Sequence, residues 1–396
     1  MPLPLSPLIA QTIAPPVMEA RRWLAETPVP ENFPLLNLSQ AAPVDPPPQA
    51  LKQAMAEAVM GDDAAHLYGP VLGLPALREE IAAQWSEAYA AQITPADVAV
   101  TSGCNQAFCA AIQALAAPGD NVLIPLPFYF NHQMWLTMAG VEPRYIPAGE
   151  SLLPDPEVAR ALITENTRAI VLVSPNNPTG VEYPRALLTA FRNLAREHGL
   201  ALIVDETYRD FHSQPGAPHT LFQDADWRDV LIHLYSFSKV FRLTGHRIGA
   251  LIASPKLLAQ VEKFLDSMTI CPSQVGQRAA LYGLQNLGDW VAGEREEILS
   301  RRAAVESAFE GLGDWKLLGS GAYFAYVRHP FEMSSAELAP KLLAERGLLV
   351  LPGTMFGPSR KDGGDGLPEQ TLRIAFANAD IFGIAELARR LDSFRV

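Results

Sequence analysis

Cysteine is scarce in this chain of 396 residues, which has only Cys104, Cys109 and Cys271. Three residues at such irregular spacing exclude a disulfide framework and a zinc site, so no bound metal is expected. They read as buried free thiols of a reducing compartment. No run of about 18 apolar residues occurs, which leaves no segment to span a membrane. Positive charge is also short: 31 Lys and Arg stand against 43 Asp and Glu, a formal net charge of −12. Nucleic acid and anionic membrane both favour a basic face, so neither is expected as a partner. A small anion held by a few local arginines stays open. The apolar stretch from Met1 to Pro16 is broken by five prolines, and the first arginines, Arg21 and Arg22, come after it. It does not read as a secretory signal, and the cytoplasm is the expected location.

What is present fits a globular protein. The length allows two or three domains, and 48% apolar with 19% charged residues is ordinary for a folded chain. Residues 1–48 are Pro-rich with one helix over Val17–Glu26, and close on Asp45-Pro46-Pro47-Pro48, a stiff connector. A helical period follows from Gln49 to about Met60. From about residue 97, β-branched runs alternate with helical segments. Val98–Thr101, Asn121–Pro125, Ala169–Val173, Ala201–Asp205, Leu231–Tyr235 and Ile248–Ala253 read as strands, with Gln106–Ala116 and Arg185–Glu197 as helices. Near-continuous apolar strands between helices predict a mainly parallel sheet covered on both faces, a three-layer αβα unit over residues 49–275. Functional residues should gather at the carboxyl ends of its strands. Residues 276–396 read as a smaller α+β domain, which the segment 1–48 joins. A long helical pattern over Ser273–Phe309 precedes strands at Ala322–Val327, Leu348–Leu351 and Leu372–Phe376.

Several side chains stand out by position. Lys239 lies in Ser236-Phe237-Ser238-Lys239, and a Lys amine can form a Schiff base with an aldehyde cofactor. Asp205 ends an apolar strand, where a carboxylate is costly unless paired. It is either a helix cap or the acid that keeps a pyridine nitrogen protonated. Tyr208, three residues on, can reach the same place. Val173-Ser174-Pro175-Asn176-Asn177-Pro178-Thr179-Gly180 is a rigid turn that fixes the amide of Asn177 between prolines. Arg373 sits inside the apolar run Thr371–Phe376, where an unpaired charge is expensive, so it pairs with an edge acid or holds an anionic ligand.

Taken in order, Asn177-Pro178-Thr179-Gly180, Asp205-Glu206-Thr207-Tyr208, Ser236-Phe237-Ser238-Lys239 and Gly245-His246-Arg247-Ile248-Gly249 resemble a class I/II aminotransferase of the pyridoxal phosphate fold type I. The likeness runs from Tyr68 to Arg373. It implies that pyridoxal phosphate is the cofactor and that Lys239 carries it as an aldimine and then shuttles the proton. By the same resemblance Asp205 pairs with the ring nitrogen, and Tyr208 and Asn177 bond the phenolate oxygen. Ser236, Ser238 and Arg247 hold phosphate, where a forked guanidinium suits the geometry. Gly103, Cys104 and Asn105, in Thr101–Ala107, match the family's phosphate loop, whose backbone N–H groups and helix start can cradle an anion. Cys104 there reads as small filler. Tyr129, with Phe128 and Phe130 as alternatives, matches the aromatic that stacks on the ring, and His132 would stand behind Asp205. Arg373 would clamp the substrate α-carboxylate. Tyr68 matches a residue that reaches the partner subunit's phosphate, which implies a homodimer with shared sites. Two positions depart from the family. Ala41 stands where Gly is usual, at the substrate end of the pocket, and His246 where an aromatic is common.

The resemblance implies ping-pong transamination between an L-amino acid and a 2-oxo acid. A C–S β-lyase of the same fold would need the same Lys, Asp, Tyr and Arg and is the alternative. A cofactor-binding regulatory module would need an attached DNA-binding domain, for which residues 1–48 are too short and too Pro-rich. No second Arg presents itself for a distal substrate carboxylate.

Overall fold

A computed structural model describes residues 3–395, so Met1, Pro2 and Val396 of the readings above lie outside the described residues. The short strand β1 (Leu36–Asn37) precedes a seven-stranded sheet. That sheet is built from β2 (Val98–Thr101), β3 (Asn121–Pro125), β4 (Glu142–Ile146), β5 (Thr167–Val173), β6 (Ala201–Asp205), β7 (Leu231–Ser236) and β8 (Gly249–Ile252). Its order is β2-β8-β7-β6-β5-β3-β4. The neighbours from β7 to β4 run parallel and only β8 runs against them.

The pleat explains the apolar runs. Along β6, Leu202 and Val204 face a core containing Leu77, Ile81, Trp85 and Tyr89 of the helix Pro75–Tyr89, while Ile203 faces Phe108, Ala111 and Leu258 on the other side. Both faces are dry, so no polar alternation survives within the strand. Chemistry is displaced to the strand ends, where Ser174, Asp205 and Ser236 emerge along one edge of the sheet. The loop after β2 enters the helix Cys104–Leu115 there as well.

The C-terminal part holds β9 (Lys316–Gly321), β10 (Phe324–Arg328), β11 (Leu348–Leu349), β12 (Leu351–Pro352) and β13 (Thr371–Ala375). Four of them form an antiparallel sheet in the order β12-β13-β10-β9. Helices Gly288–Glu310, Ser335–Arg346 and Ile381–Asp392 close its core through Val305, Leu342 and Leu387. β1 pairs parallel with β11, and Leu38 accepts the Ala375 N–H at 2.8 Å. Residues 36–41 are thereby tied beside Arg373.

The expected three-layer α/β fold with a smaller α+β part is the observed one. Element bounds differ in places. The long helical pattern over Ser273–Phe309 is two helices, Gln274–Asn286 and Gly288–Glu310, broken at Leu287. Leu348–Leu351 divides into β11 and β12, which belong to different sheets. β4 and β9 had not been expected. β4 is an edge strand whose sequence, Glu-Pro-Arg-Tyr-Ile, stays partly exposed and carries no apolar run.

Candidate active site

The strand ends surround a cavity of about 150 Å³. Lys239 enters it from the single helical turn after β7, and its Nζ donates to the Ala41 carbonyl at 2.5 Å. Burial lowers its pKa most, and the cationic Arg247 and Arg373 lower it further, from 10.5 to about 7. At neutral pH a large share of this amine is therefore unprotonated.

Asp205 accepts from the Thr207 N–H at 3.0 Å and the Thr207 hydroxyl at 2.7 Å. His132 Nε2 lies 3.3 Å from its other oxygen. Burial alone would raise the carboxyl pKa, but these bonds and the His132 contact outweigh it and hold it below the ordinary value. The result is a fixed anion in a low-dielectric wall. Such an anion can face a cationic or N–H group across the cavity. His132 itself is stacked on Phe108 at 3.9 Å between ring centres.

At one end of the cavity, Arg247 sits in the left-handed region (φ +55°) and donates to the Ser238 hydroxyl at 3.3 Å. Ser236 caps the turn by accepting the Ser238 N–H. Gly103, at φ +87°, opens the helix Cys104–Leu115, and a Cβ there would collide with the Arg247 guanidinium. A Cβ on Gly249 would lie 2.7 Å from the Cys104 nitrogen. Both glycines keep a helix start, two hydroxyls and a guanidinium facing one small space, a built anion cradle. Burial first, then Asp205, raises the Cys104 thiol well above its ordinary pKa, so it is neutral filler.

At the other end, Arg373 is buried in β13 between the rings of Phe356 (4.8 Å) and Phe324 (5.2 Å). It donates to the Asn177 side chain at 3.1 Å and to the Ser39 carbonyl, and its Nε has no partner among the described residues. Burial lowers its pKa to about 10, so it remains a cation at neutral pH. Tyr129 closes one wall, its hydroxyl 3.4 Å from Asn105, and burial raises its pKa as it does that of Tyr208.

The residues match the class I and II aminotransferase family model over positions 34–391. The chain belongs to the class I and II aminotransferases. An aromatic aminotransferase of Arabidopsis thaliana is 30% identical over 356 residues, 87% of each chain. An aspartate/prephenate aminotransferase of Thermus thermophilus is 32% identical over 81% of this chain and 84% of its own. A Thermus thermophilus aspartate aminotransferase solved with maleate superposes with a TM-score of 0.86 at 26% identity, covering 98% of this chain and 99% of that one. The protein is an aminotransferase, in a family that works with pyridoxal phosphate.

Ten of the residues singled out in the aminotransferase sequence line the cavity: Cys104, Asn105, Tyr129, Asn177, Asp205, Tyr208, Ser236, Ser238, Lys239 and Arg247. Gly103, Ala41 and Arg373 stand just behind its wall through the contacts above. Tyr68 is not brought there and lies 80% exposed on the surface. Thr207 also lines the cavity and went without a role in the sequence, although Asp-x-Thr after a strand is the signature of a side chain bonding its own turn. The carbonyls of Ser39 and Ala41 left no sequence signal, being backbone. The cradle, the buried carboxylate and the half-neutral amine fit a phosphorylated pyridine aldehyde.

Proposed function

We propose that this aminotransferase holds pyridoxal phosphate in the cavity and transfers amino groups between an L-amino acid and a 2-oxo acid by a ping-pong cycle. The observation that carries the reading is the placement of Lys239 between two cationic ends, with the Asp205 carboxylate in the wall. Arg247, Ser236, Ser238 and the 103–105 loop would hold the phosphate, and Tyr129 would pack on the ring. Asp205 would bond the ring nitrogen, with Tyr208 and Asn177 at the ring oxygen. When bound, the cofactor supplies an electron-poor ring that takes up the electron pair of a broken Cα–H bond.

The chain's own residues do the rest. Arg373 binds the substrate carboxylate with two parallel hydrogen bonds, and Asn177 keeps the guanidinium from rotating. Fixing the carboxylate turns the Cα–H bond toward Lys239. Lys239 Nζ, in the share that is unprotonated at neutral pH, takes that proton. The phenol of Tyr208 stays protonated and so can donate. Lys239, Arg247 and Arg373 are the cations at the cavity among the described residues, and each already has a task. Within one copy of the chain a second substrate carboxylate finds no counter-charge there, which favours uncharged side chains.

Beyond the site, we read residues 1–48 and 276–396 as one domain and residues 49–275 as the other, since β1 pairs with β11. A second copy of the chain would cover the apolar surface around Tyr68. Met60 (86%), Leu67 (66%) and Met268 (59%) are exposed on neighbouring segments, joined where the Gly69 N–H meets Cys271. In such a homodimer Tyr68 reaches its partner's phosphate. The free thiols accord with the cytoplasm.

Titrating the protein with pyridoxal phosphate tests the cofactor assignment. A saturable visible absorbance band is expected, and Lys239→Ala should abolish it and slow transamination about 10²–10⁴-fold. A variant with the wild-type band would refute the role of Lys239.

A further inference from the structure

The end of β6 carries two opposite sets of side chains. Asp205 and Tyr208 face the cavity, while Glu206 points through the sheet into the layer beneath the helix Pro75–Tyr89. Glu206 has no exposed surface, nor have Tyr89, His219 and His233 around it. Tyr89 donates its phenol to Glu206, and His233 Nε2 is 2.7 Å from the same oxygen. His219 Nε2 lies 3.4 Å from the other oxygen. Because His219 Nδ1 accepts the Leu221 N–H at 3.2 Å, its ring proton sits on Nε2 and faces Glu206. One carboxylate thus takes hydrogen bonds from the helix Pro75–Tyr89 and from β7, and the imidazole of the 219–222 turn stands beside its other oxygen without a hydrogen bond. Three residues on, Arg209 lies 4.0 Å above the Trp85 ring, and the adjacent Asp210 accepts from Tyr235 at 2.5 Å. None of these groups touches the cavity, and such a buried ionic cluster is not needed for stability alone, since apolar packing serves as well.

We infer that Glu206, held by Tyr89 and His233 with His219 beside it, is a positioning residue that sets the orientation of Asp205 and Tyr208 at the cofactor ring. The peptide linking Asp205 to Glu206 is held at both ends. Its carboxylate anchor behind the sheet leaves Asp205 no freedom to turn with the strand end. The cluster therefore acts on the ring nitrogen and ring oxygen through the backbone, at no direct contact. This rests on the cofactor reading above.

The test uses the cofactor-loaded enzyme and compares wild type with Glu206→Gln and Tyr89→Phe, the latter removing a single donor should the former fail to fold. The readouts are the pH midpoint of the visible band, the Kd for pyridoxal phosphate, and kcat and KM separately. The inference expects a displaced midpoint and kcat lowered about tenfold or more with KM nearly unchanged, because misplacing a reacting group by about 1 Å can cost on the order of 100-fold. Tyr89→Phe should shift both in the same direction by less. Folded variants with lower thermal stability but wild-type midpoint, Kd and kcat would overturn it. A wild-type protein that takes up no cofactor would instead overturn the cofactor reading.

Discussion

At Lys239, burial and two neighbouring guanidinium groups set the pH range of the reaction. Each disfavours the ammonium form, which brings the pKa down to about 7. Below that value a released Nζ holds a proton and cannot accept another, so kcat should rise from pH 6 to 8 with a midpoint near 7. Arg373→Gln deletes a positive neighbour and should move that midpoint upward, while Arg373→Lys keeps the charge and leaves it in place. Both lose the bidentate grip, worth about 1.5–3 kcal/mol for a charged hydrogen bond, so KM should rise roughly 10- to 100-fold. A profile that ignores both substitutions would show that Arg373 does not face the site. The side chains of this site were legible because they sit in short contiguous motifs that resemble the family's. The Ser39 and Ala41 carbonyls were not, since any residue presents a carbonyl and only the tertiary path brings it to Arg373 and Lys239.

Among the elements, the meeting of β8 with the helix Cys104–Leu115 is the tightest point of the anion cradle. Gly249 pairs with Thr101 across β2, and its missing Cβ lets the Cys104 nitrogen approach. Gly249→Ala should push the loop outward at a cost of about 1–3 kcal/mol, seen as a roughly 5- to 100-fold weaker Kd for pyridoxal phosphate with the fold retained. Unchanged affinity would mean that the loop adjusts freely. The parallel strands could be read from sequence because burial on both faces writes a continuous apolar run. The edge strand β4 and the break at Leu287 could not. An edge is half wet, and a helix that stops between two apolar turns leaves no mark in the periodicity.

For the whole molecule, the exposed Met60, Leu67, Tyr68 and Met268 lie clear of the cavity in their own chain, where a second copy would cover them. A homodimer should therefore appear in sedimentation, and Met60→Glu should shift it toward monomer with loss of activity. Tyr68→Phe should leave the dimer intact and weaken cofactor binding by about tenfold, the cost of one hydrogen bond to a charged group. A fully active monomer would contradict a shared site. Resemblance in the sequence carried this expectation; composition and periodicity hold no trace of it, because one chain alone shows only an exposed tyrosine.

The central claim is that one cavity joins Lys239 to a cofactor and accepts an amino group from an amino acid that Arg373 holds. A single-turnover experiment reaches it most directly, mixing the cofactor-loaded protein with an amino acid and no 2-oxo acid. The prediction is one equivalent of 2-oxo acid per site with loss of the visible band, reached faster with aromatic and aliphatic donors than with aspartate. A band left unchanged by every donor, or ammonia released over many turnovers with the band retained, would contradict it.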